Sequence, residues 1–184
     1  MVALVNGVDE DAVDYLLGLD WVNEMAYLPG ATPVPIGDAV SFLVDAVPGD
    51  CRYHLHLEDD WECVSGGWYN DAKAILEASP YIGQVRLRLA SEPTLRRHLI
   101  TGKPHEWEPA RLGRIGYATS GLHYTYNPSL CRVGDLSKIH PASHEKEAMR
   151  HYLAAFPRVA QLLPGAFRHI GGGGGSLRCK LGRQ

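Results

Sequence analysis

The chain of 184 residues is as long as one ordinary domain, and its 45% hydrophobic and 21% charged residues are typical of a globular protein. Its net charge of -3 argues against a nucleic-acid surface, and no apolar run approaches the roughly 20 residues of a membrane span. We therefore expect a single globular domain over residues 1–184, ending in a glycine-rich segment at 171–184, with neither nucleic acid nor a membrane as partner.

The N-terminal residues lack the features of a signal peptide, because no basic region precedes them and acids begin at Asp9. We therefore expect a cytoplasmic location, in which thiols stay reduced. The four cysteines are accordingly interpreted as free thiols and not as a disulfide framework: Cys51, Cys63, Cys131 and Cys179.

Apolar periodicity and capping residues predict several helices. The clearest is Asp38–Val47, where Val40, Leu43, Val44 and Val47 recur on one helical face. The other predicted helices cover residues 9–19, 70–78, 91–100, 143–155 (capped by Ser143) and 157–163. The proline-dense residues 27–36 predict a loop.

Alternation of apolar and polar side chains predicts strands between these helices. In residues 52–58, His54, His56 and Glu58 share one face, and Tyr53, Leu55 and Leu57 share the other. A second strand covers residues 84–89, and residues 114–118 and 122–126 predict a hairpin. The expected fold class is mixed α/β, with short strands interleaved with helices.

The segment HIGGGGGSLRCKL, residues 169–181, brings a glycine run, an arginine and a cysteine together. Glycine permits close approach of the backbone to a small substrate, and a neighbouring cation favours the reactive thiolate. The same composition is also typical of a flexible linker before a tail.

Gly172 to Gly175, Arg178 and Cys179 resemble the end of the guanidino-group-modifying superfamily, which includes arginine deiminases, dimethylarginine hydrolases and amidinotransferases. In that family a glycine-rich turn precedes a nucleophilic cysteine near the C-terminus, and a catalytic histidine lies upstream in a His-aliphatic-acid triplet. The triplet here is His56-Leu57-Glu58, with glutamate where aspartate is usual. The family also has a substrate-binding acid well upstream of the histidine, and the only candidates for it here are Asp20 and Glu24.

This resemblance implies a hydrolase or transferase that acts on an arginine-like group without a cofactor. Cys179 would attack the guanidinium carbon, His56 would transfer protons, and Glu58 would hold the cationic group. The implied substrate-binding residues are Arg178, Gly174, Gly175 and Asp60.

A divalent-metal site is an alternative, because His54 and His56 point to the same side of a strand. Asp60 or Glu62 follows them, and His123 lies on a later predicted strand. His-x-His followed by an acid, and His123 followed by Asn127, resemble the two motifs of cupins. This resemblance implies a metal held by His54, His56 and His123, whereas Cys51 and Cys63 with one of the first two histidines form a further candidate zinc set.

A binding module without chemistry is the third function that stays open. Seven aromatic residues lie among glycines, prolines and acids, as is common at interfaces: Trp61, Trp68, Tyr69, Trp107, Tyr117, Tyr124 and Tyr126. The acids Glu58, Asp59 and Asp60 present negative charge. An inhibitor or immunity-type protein would use such a surface to mask a basic protein partner.

Overall fold

The computed structural model describes residues 2–6, 14, 18, 24–28, 34–58, 60–90, 107–121 and 124–170. Helices and strands are interspersed along these residues, which confirms the predicted mixed α/β class. Four helices lie in this part of the chain: α1 (Ile36–Asp45), α2 (Trp68–Ala78), α3 (Val133–Leu136) and α4 (Glu145–Ala155). None of these helices has the length and apolar character that crossing a bilayer requires.

Ten strands accompany the helices. They are β1 (Val2–Asn6), β2 (Glu24–Leu28), β3 (Tyr53–His56), β4 (Trp61–Cys63), β5 (Ile82–Arg86), β6 (Glu108–Leu112), β7 (Ile115–Ser120), β8 (Ser129–Arg132), β9 (Arg158–Leu163) and β10 (Phe167–His169). Six of them form one sheet in the order β3-β8-β5-β9-β7-β6, in which β5 and β9 are parallel and the other neighbours antiparallel. β1 pairs with β2 in parallel, and β4 pairs with β10 antiparallel.

A separate apolar cluster lies on each face of the six-stranded sheet. On the face covered by α2, the cluster includes Ile75, Leu76, Val85, Leu87, Leu130, Leu162 and Phe167. On the face covered by α1 and α4, it includes Val40, Tyr124, Tyr126, Ile139, Ala148, Tyr152, Phe156 and Val159. The buried members of the second cluster include three tyrosines, whereas the buried members of the first are aliphatic apart from Phe167.

Most predicted elements with a strong periodic pattern are confirmed. The predicted helices 38–47, 70–78 and 143–155 correspond to α1, α2 and α4. The predicted strands 52–58, 84–89 and 114–118 correspond to β3, β5 and β7. Residue 144, not the predicted Ser143, caps α4: the Nδ1 atom of His144 accepts from the backbone N–H of Glu147, 3.1 Å away. Ser143 lies one residue earlier and donates its backbone N–H and its hydroxyl to the Glu147 carboxylate.

The predicted helix 157–163 is wrong, because these residues form β9 in the interior of the sheet. Val159 to Leu162 are all buried, since β9 has a neighbour on each side and is covered on both faces. Burial on both faces removes the alternation of exposed and buried positions, and a short run such as RVAQLL does not distinguish a strand from a short helix.

The predicted hairpin between residues 114–118 and 122–126 is also wrong. β7 pairs with β6, which precedes it, through a turn at Gly113 with a φ of 56°. The described end of the second predicted strand, Tyr124 to Tyr126, is irregular. The pattern of β6 is weak because Pro109 stands in a short edge strand, the position where a sheet tolerates proline.

The remaining predictions are either wrong in part or lie outside the described residues. Residues 27 and 28 belong to β2 and not to the predicted loop, and the strands β1, β4, β8 and β10 and the helix α3 were not predicted. The predicted helix at 91–100 lies outside the described residues, as does most of the helix at 9–19. From the latter, the N–H of Gly18 donates to the carbonyl of Asp14, 3.2 Å away, as in a helical turn.

Candidate functional site

Polar side chains occupy the face of the sheet that α1 and α4 cover. The strand register aligns His56 of β3 with Ser129 of β8 and then with Arg86 of β5. Two residues away along each strand, it aligns His54 with Cys131 and then with Gln84. Residues aligned across antiparallel strands project to the same face, so two polar rows run side by side beneath the helices.

His54 and His56 are the first members of these rows. Their ring centres are 6.2 Å apart, and His56 is 9% exposed. Nδ1 of His54 and Nε2 of His56 are both buried, and neither has a hydrogen-bond partner among the described residues. Because a buried polar nitrogen without a partner costs free energy, this pair indicates a site for a ligand.

Burial keeps these imidazoles neutral. It lowers the pKa of His54 from 6.5 to about 4 and that of His56 to about 3, and neighbouring histidines lower both further. Burial, followed by the charge of His151, lowers the pKa of His140 to about 4. All three rings are therefore uncharged near neutral pH, the form in which an imidazole nitrogen can bind a metal.

Tyr126 lies against two of these histidines. Its ring centre is 5.6 Å from that of His56 and 6.1 Å from that of His140, with an angle of 18° between the planes of Tyr126 and His140. The Tyr126 hydroxyl is buried without a partner among the described residues, and burial raises its pKa to about 12. Tyr126 therefore offers a protonated phenol beside His56 at neutral pH.

Helix α1 positions His140. The Oγ atom of Ser41 donates to the carbonyl of Gly37 at 2.8 Å and lies 3.3 Å from Nδ1 of His140. The only hydroxyl proton of Ser41 is donated to Gly37, so Nδ1 of His140 is the donor in its contact with Ser41. The lone pair of His140 is then on Nε2, which is buried and has no partner among the described residues. Gly37 permits this arrangement, since a Cβ at that position would lie 2.3 Å from the carbonyl oxygen of Ala142.

Gln84 fixes the segment that carries Tyr126. Its Nε2 donates to the carbonyl of Thr125 at 2.9 Å and to Oγ of Ser129 at 3.1 Å, and its Oε1 accepts from the Thr125 N–H at 3.3 Å. The backbone N–H of Tyr126 donates to Oε1 of Glu145 at 3.0 Å. The tyrosine is thereby tied to both β5 and α4.

The two acids of the predicted guanidino site have partners elsewhere. β3 ends at His56, before Glu58, and the Trp61 Nε1–H donates to Oε2 of Glu58 at 3.4 Å. Oδ2 of Asp60 lies 2.9 Å from Nε2 of His169. The remaining predicted site residues lie outside the described residues: Cys179, Arg178, Gly174, Gly175 and His123.

The described residues contain no group of three or more His, Cys, Asp or Glu side chains arranged to hold a metal ion. His54 and His56 are brought together, whereas the third predicted ligand, His123, lies outside this part of the chain. Cys51 and Cys63 are exposed free thiols. Cys131 is a buried free thiol, and burial raises its pKa to about 12, so it stays protonated.

Several aromatic residues considered for a binding surface pack inside the protein. Tyr124 and Tyr126 are buried, and Trp68 lies edge-on to Phe167 with ring centres 5.2 Å apart. Tyr69 is exposed at 44%. Asp60 is engaged by His169, so the described part of the acidic stretch is occupied by contacts within the chain.

Sequence reasoning missed Gln84, Arg86, Ser129 and His140 as members of the site. The alternation of β5 indicated that Gln84 and Arg86 share a face, but nothing local showed that this face is buried. No model of a known protein family matches the chain, and no curated protein is similar to it. The site itself is therefore the basis for a functional proposal.

Proposed function

We propose that the protein binds a divalent transition-metal ion through His54 and His56. The observation that carries the proposal is that Nδ1 of His54 and Nε2 of His56 are buried on the same face of β3 without partners among the described residues. Imidazole nitrogens suit zinc, copper, iron and nickel better than calcium or magnesium.

The protonation state and the spacing of the two rings both support this proposal. A neutral imidazole has its lone pair available, and the low pKa values of His54 and His56 keep both rings neutral. Two imidazoles on one tetrahedral ion place their ring centres about 5 Å apart, with metal–nitrogen distances of about 2.0 Å. The observed 6.2 Å is wider, so the rings must turn slightly towards each other when an ion binds.

The pair requires further ligands, because a structural or catalytic zinc site has at least three protein ligands. His123 is the candidate that the sequence provides, from a position next to the described Tyr124. A bound ion would supply a Lewis acid, and the protonated Tyr126 phenol beside His56 would supply a hydrogen-bond donor. These groups together favour chemistry on a small polar substrate.

Cobalt(II) is the probe that tests this site most sharply. We expect metal-free protein to bind one Co²⁺ with visible absorption typical of tetrahedral or five-coordinate cobalt. His54→Ala and His56→Ala each remove a ligand and should weaken binding by at least about tenfold. His144→Asn is the matched control, because asparagine preserves the N-cap of α4 at a position outside the site.

The same titration separates histidine ligation from cysteine ligation. Thiolate–cobalt bonds produce an intense near-ultraviolet band, which would indicate Cys51 or Cys63. Protein alkylated at these exposed thiols should bind Co²⁺ as well as untreated protein does. Equal binding by the wild type and both histidine variants, or loss of binding on alkylation, contradicts the proposal.

A cysteine-dependent activity on guanidino compounds is a second candidate, and one contact favours it. The backbone N–H of Ile170 donates to the carbonyl of Asp60 at 2.8 Å, so the chain enters the glycine run beside the segment that follows His56. The stretch from Ile170 to Cys179 spans up to about 30 Å when extended, which is long enough to reach that histidine. Cys179 would attack the guanidinium carbon and form a covalent thiouronium intermediate as the C–N bond breaks and an amine leaves. His56 would give a proton to the leaving amine and take one from the water that then releases Cys179, while Glu58 would hold the substrate cation.

Alkylation rates test this second candidate. A reactive Cys179 should be modified by iodoacetamide faster than Cys51 and Cys63, with an apparent pKa below the usual value of about 8.5, and agmatine should protect it. The two exposed thiols are internal controls in the same mass-spectrometric experiment. A rate for Cys179 equal to theirs, with no protection, rules this activity out.

A further inference from the structure

A cavity of ≈ 310 Å³ opens beside the first turn of α4. Its lining consists of Arg86, Tyr124, Thr125, Glu145, Lys146 and Met149. The volume lies at the lower end of the range for small-molecule sites. The lining combines two cations with an aromatic ring and a thioether.

Arg86 is the central feature of this cavity. Its Nε atom is buried and has no hydrogen-bond partner among the described residues. The guanidinium carbon lies 5.6 Å from the centre of the Trp107 ring, and no described carboxylate forms an ion pair with Arg86. Burial lowers the pKa of Arg86 to about 10, which leaves it charged at neutral pH. The charge of Glu145 partly opposes this lowering, but Glu145 forms no ion pair with the half-buried guanidinium. A bound anion would supply the direct contact that Arg86 lacks among the described residues.

The positive charges around the cavity outnumber its one acid. Lys146 is exposed at the edge of the cavity, and Arg88 adds positive charge near Arg86. Glu145 is the one acid in the lining, and its Oε1 already accepts the N–H of Tyr126. The dipole at the first turn of α4 favours an anion, and Glu145 and Glu147 in that turn offset part of this effect.

We propose that this cavity binds the oxyanion group of a small ligand, a carboxylate or a phosphate, through the Arg86 guanidinium with help from Lys146. The planar guanidinium matches both groups, because its parallel N–H bonds fit two oxygens at once. The Tyr124 ring and Met149 then contact the less polar part of the ligand. This site does not depend on metal binding at His54 and His56.

Calorimetric titrations of the full chain test the proposal, with inorganic phosphate in one arm and benzoate in the other. Both are run at constant ionic strength, with chloride as the compensating anion, because screening alone changes weak anion binding. We expect saturable binding of at least one probe with a dissociation constant in the millimolar range. If only phosphate binds, the cavity is a phosphate site, and if only benzoate binds, it is a carboxylate site. If both probes bind, the cavity accepts either oxyanion.

Three variants locate the binding. Arg86→Met keeps the length of the side chain without its charge and should weaken binding by more than about tenfold, as expected for a charge-assisted contact. Lys146→Ala changes an exposed residue that folding does not need and should weaken binding about three- to fivefold. Lys73→Ala, on α2 at the other face of the sheet, should leave binding unchanged.

The proposal fails if neither probe binds saturably to the wild type. It also fails if Lys146→Ala and a folded Arg86→Met both bind as the wild type does, or if Lys73→Ala weakens binding as much as Lys146→Ala. Thermal melts of each variant show whether the protein is folded. If Arg86→Met is unfolded, the comparison of Lys146→Ala with Lys73→Ala decides the outcome.

Discussion

The two faces of the six-stranded sheet differ in chemistry although the same strands form both. Towards α2, the sheet presents Leu55, Val85, Leu130 and Leu162, which pack into an apolar cluster. Towards α1 and α4, the same strands present the two polar rows, and Gln161 extends the row that contains Arg86. The α2 face buries mainly apolar side chains, whereas the opposite face buries imidazole, amide, hydroxyl and guanidinium groups beside an apolar cluster of its own.

This difference indicates a division of roles. Burial of apolar area stabilises the fold at about 25 cal/mol per Å², whereas buried polar groups stabilise it only when they are paired. Gln84 and Gln161 are paired with backbone groups, but nitrogens of His54, His56 and Arg86 are buried without partners among the described residues. We infer that the α2 face supplies stability and that the opposite face supplies binding.

The largest effect is expected from Leu130→Ala on the α2 face. Leu130 is 1% exposed in the middle of the apolar cluster, so the truncation should lower the free energy of unfolding by about 2–5 kcal/mol. Urea denaturation measures this loss. Cobalt affinity of the folded variant should match that of the wild type, and a parallel loss of affinity would show that the two faces are not separable.

Acidification should destabilise the protein through the buried histidines on the face covered by α1 and α4. His54 and His56 have folded-state pKa values of about 4 and 3, below the ordinary 6.5, so only the unfolded chain takes up these protons as the pH falls below 6.5. Stability is therefore full above pH 6.5 and is lost towards pH 4, by up to about 1.4 kcal/mol per pH unit for each histidine. Denaturation of metal-free protein at several pH values measures the slope. His56→Gln should make the slope shallower, and an unchanged slope would contradict the assignment.

Gln84→Leu tests the polar network itself. The variant keeps the approximate volume but leaves the backbone N–H and carbonyl of Thr125 without their partner. We expect a loss of about 1–3 kcal/mol, the usual cost of unsatisfied buried groups. It should also weaken phosphate or benzoate binding, since Thr125 lines the cavity. A more stable variant with unchanged binding would show that the network serves neither role.

The smallest effect is expected for Lys73→Ala on the outer surface of α2. The Lys73 ammonium lies 3.8 Å from the Glu77 carboxylate, and both side chains are exposed. Exposed pairs of this kind contribute less than about 1 kcal/mol, so the midpoint of urea denaturation should hardly move. A large shift would mean that surface charge, and not the sheet, dominates the stability of this face.

The sequence predicted β3 and its histidine pair because apolar and polar residues alternate along that strand, which places the two histidines on the same face. It did not predict β9, which is covered on both faces and has lost alternation. β8 was missed for the same reason, since Ser129, Leu130 and Cys131 are all buried. Local patterns thus identified strands whose apolar and polar residues alternate, including the central β5, and missed strands such as β8 and β9, in which burial does not alternate.

The candidate site was predictable only in the part that one strand carries. His54 and His56 are neighbours on β3, whereas His140 and Tyr126 reach them from distant segments through tertiary packing. The place of Arg86 in a cavity was not predicted, because Tyr124 and the residues of α4 that line this cavity are distant in sequence. Nothing in a local pattern reports such contacts.

Nitrogen NMR of the histidine rings during a zinc titration tests the central claim most directly. Protein labelled with ¹⁵N in histidine reports each ring nitrogen separately, and variants assign the signals. We predict that zinc shifts Nδ1 of His54 and Nε2 of His56 at one equivalent, while the signals of His144 and His169 stay in place. Zinc binding that leaves both His54 and His56 unchanged, or no zinc binding at all, would contradict the claim.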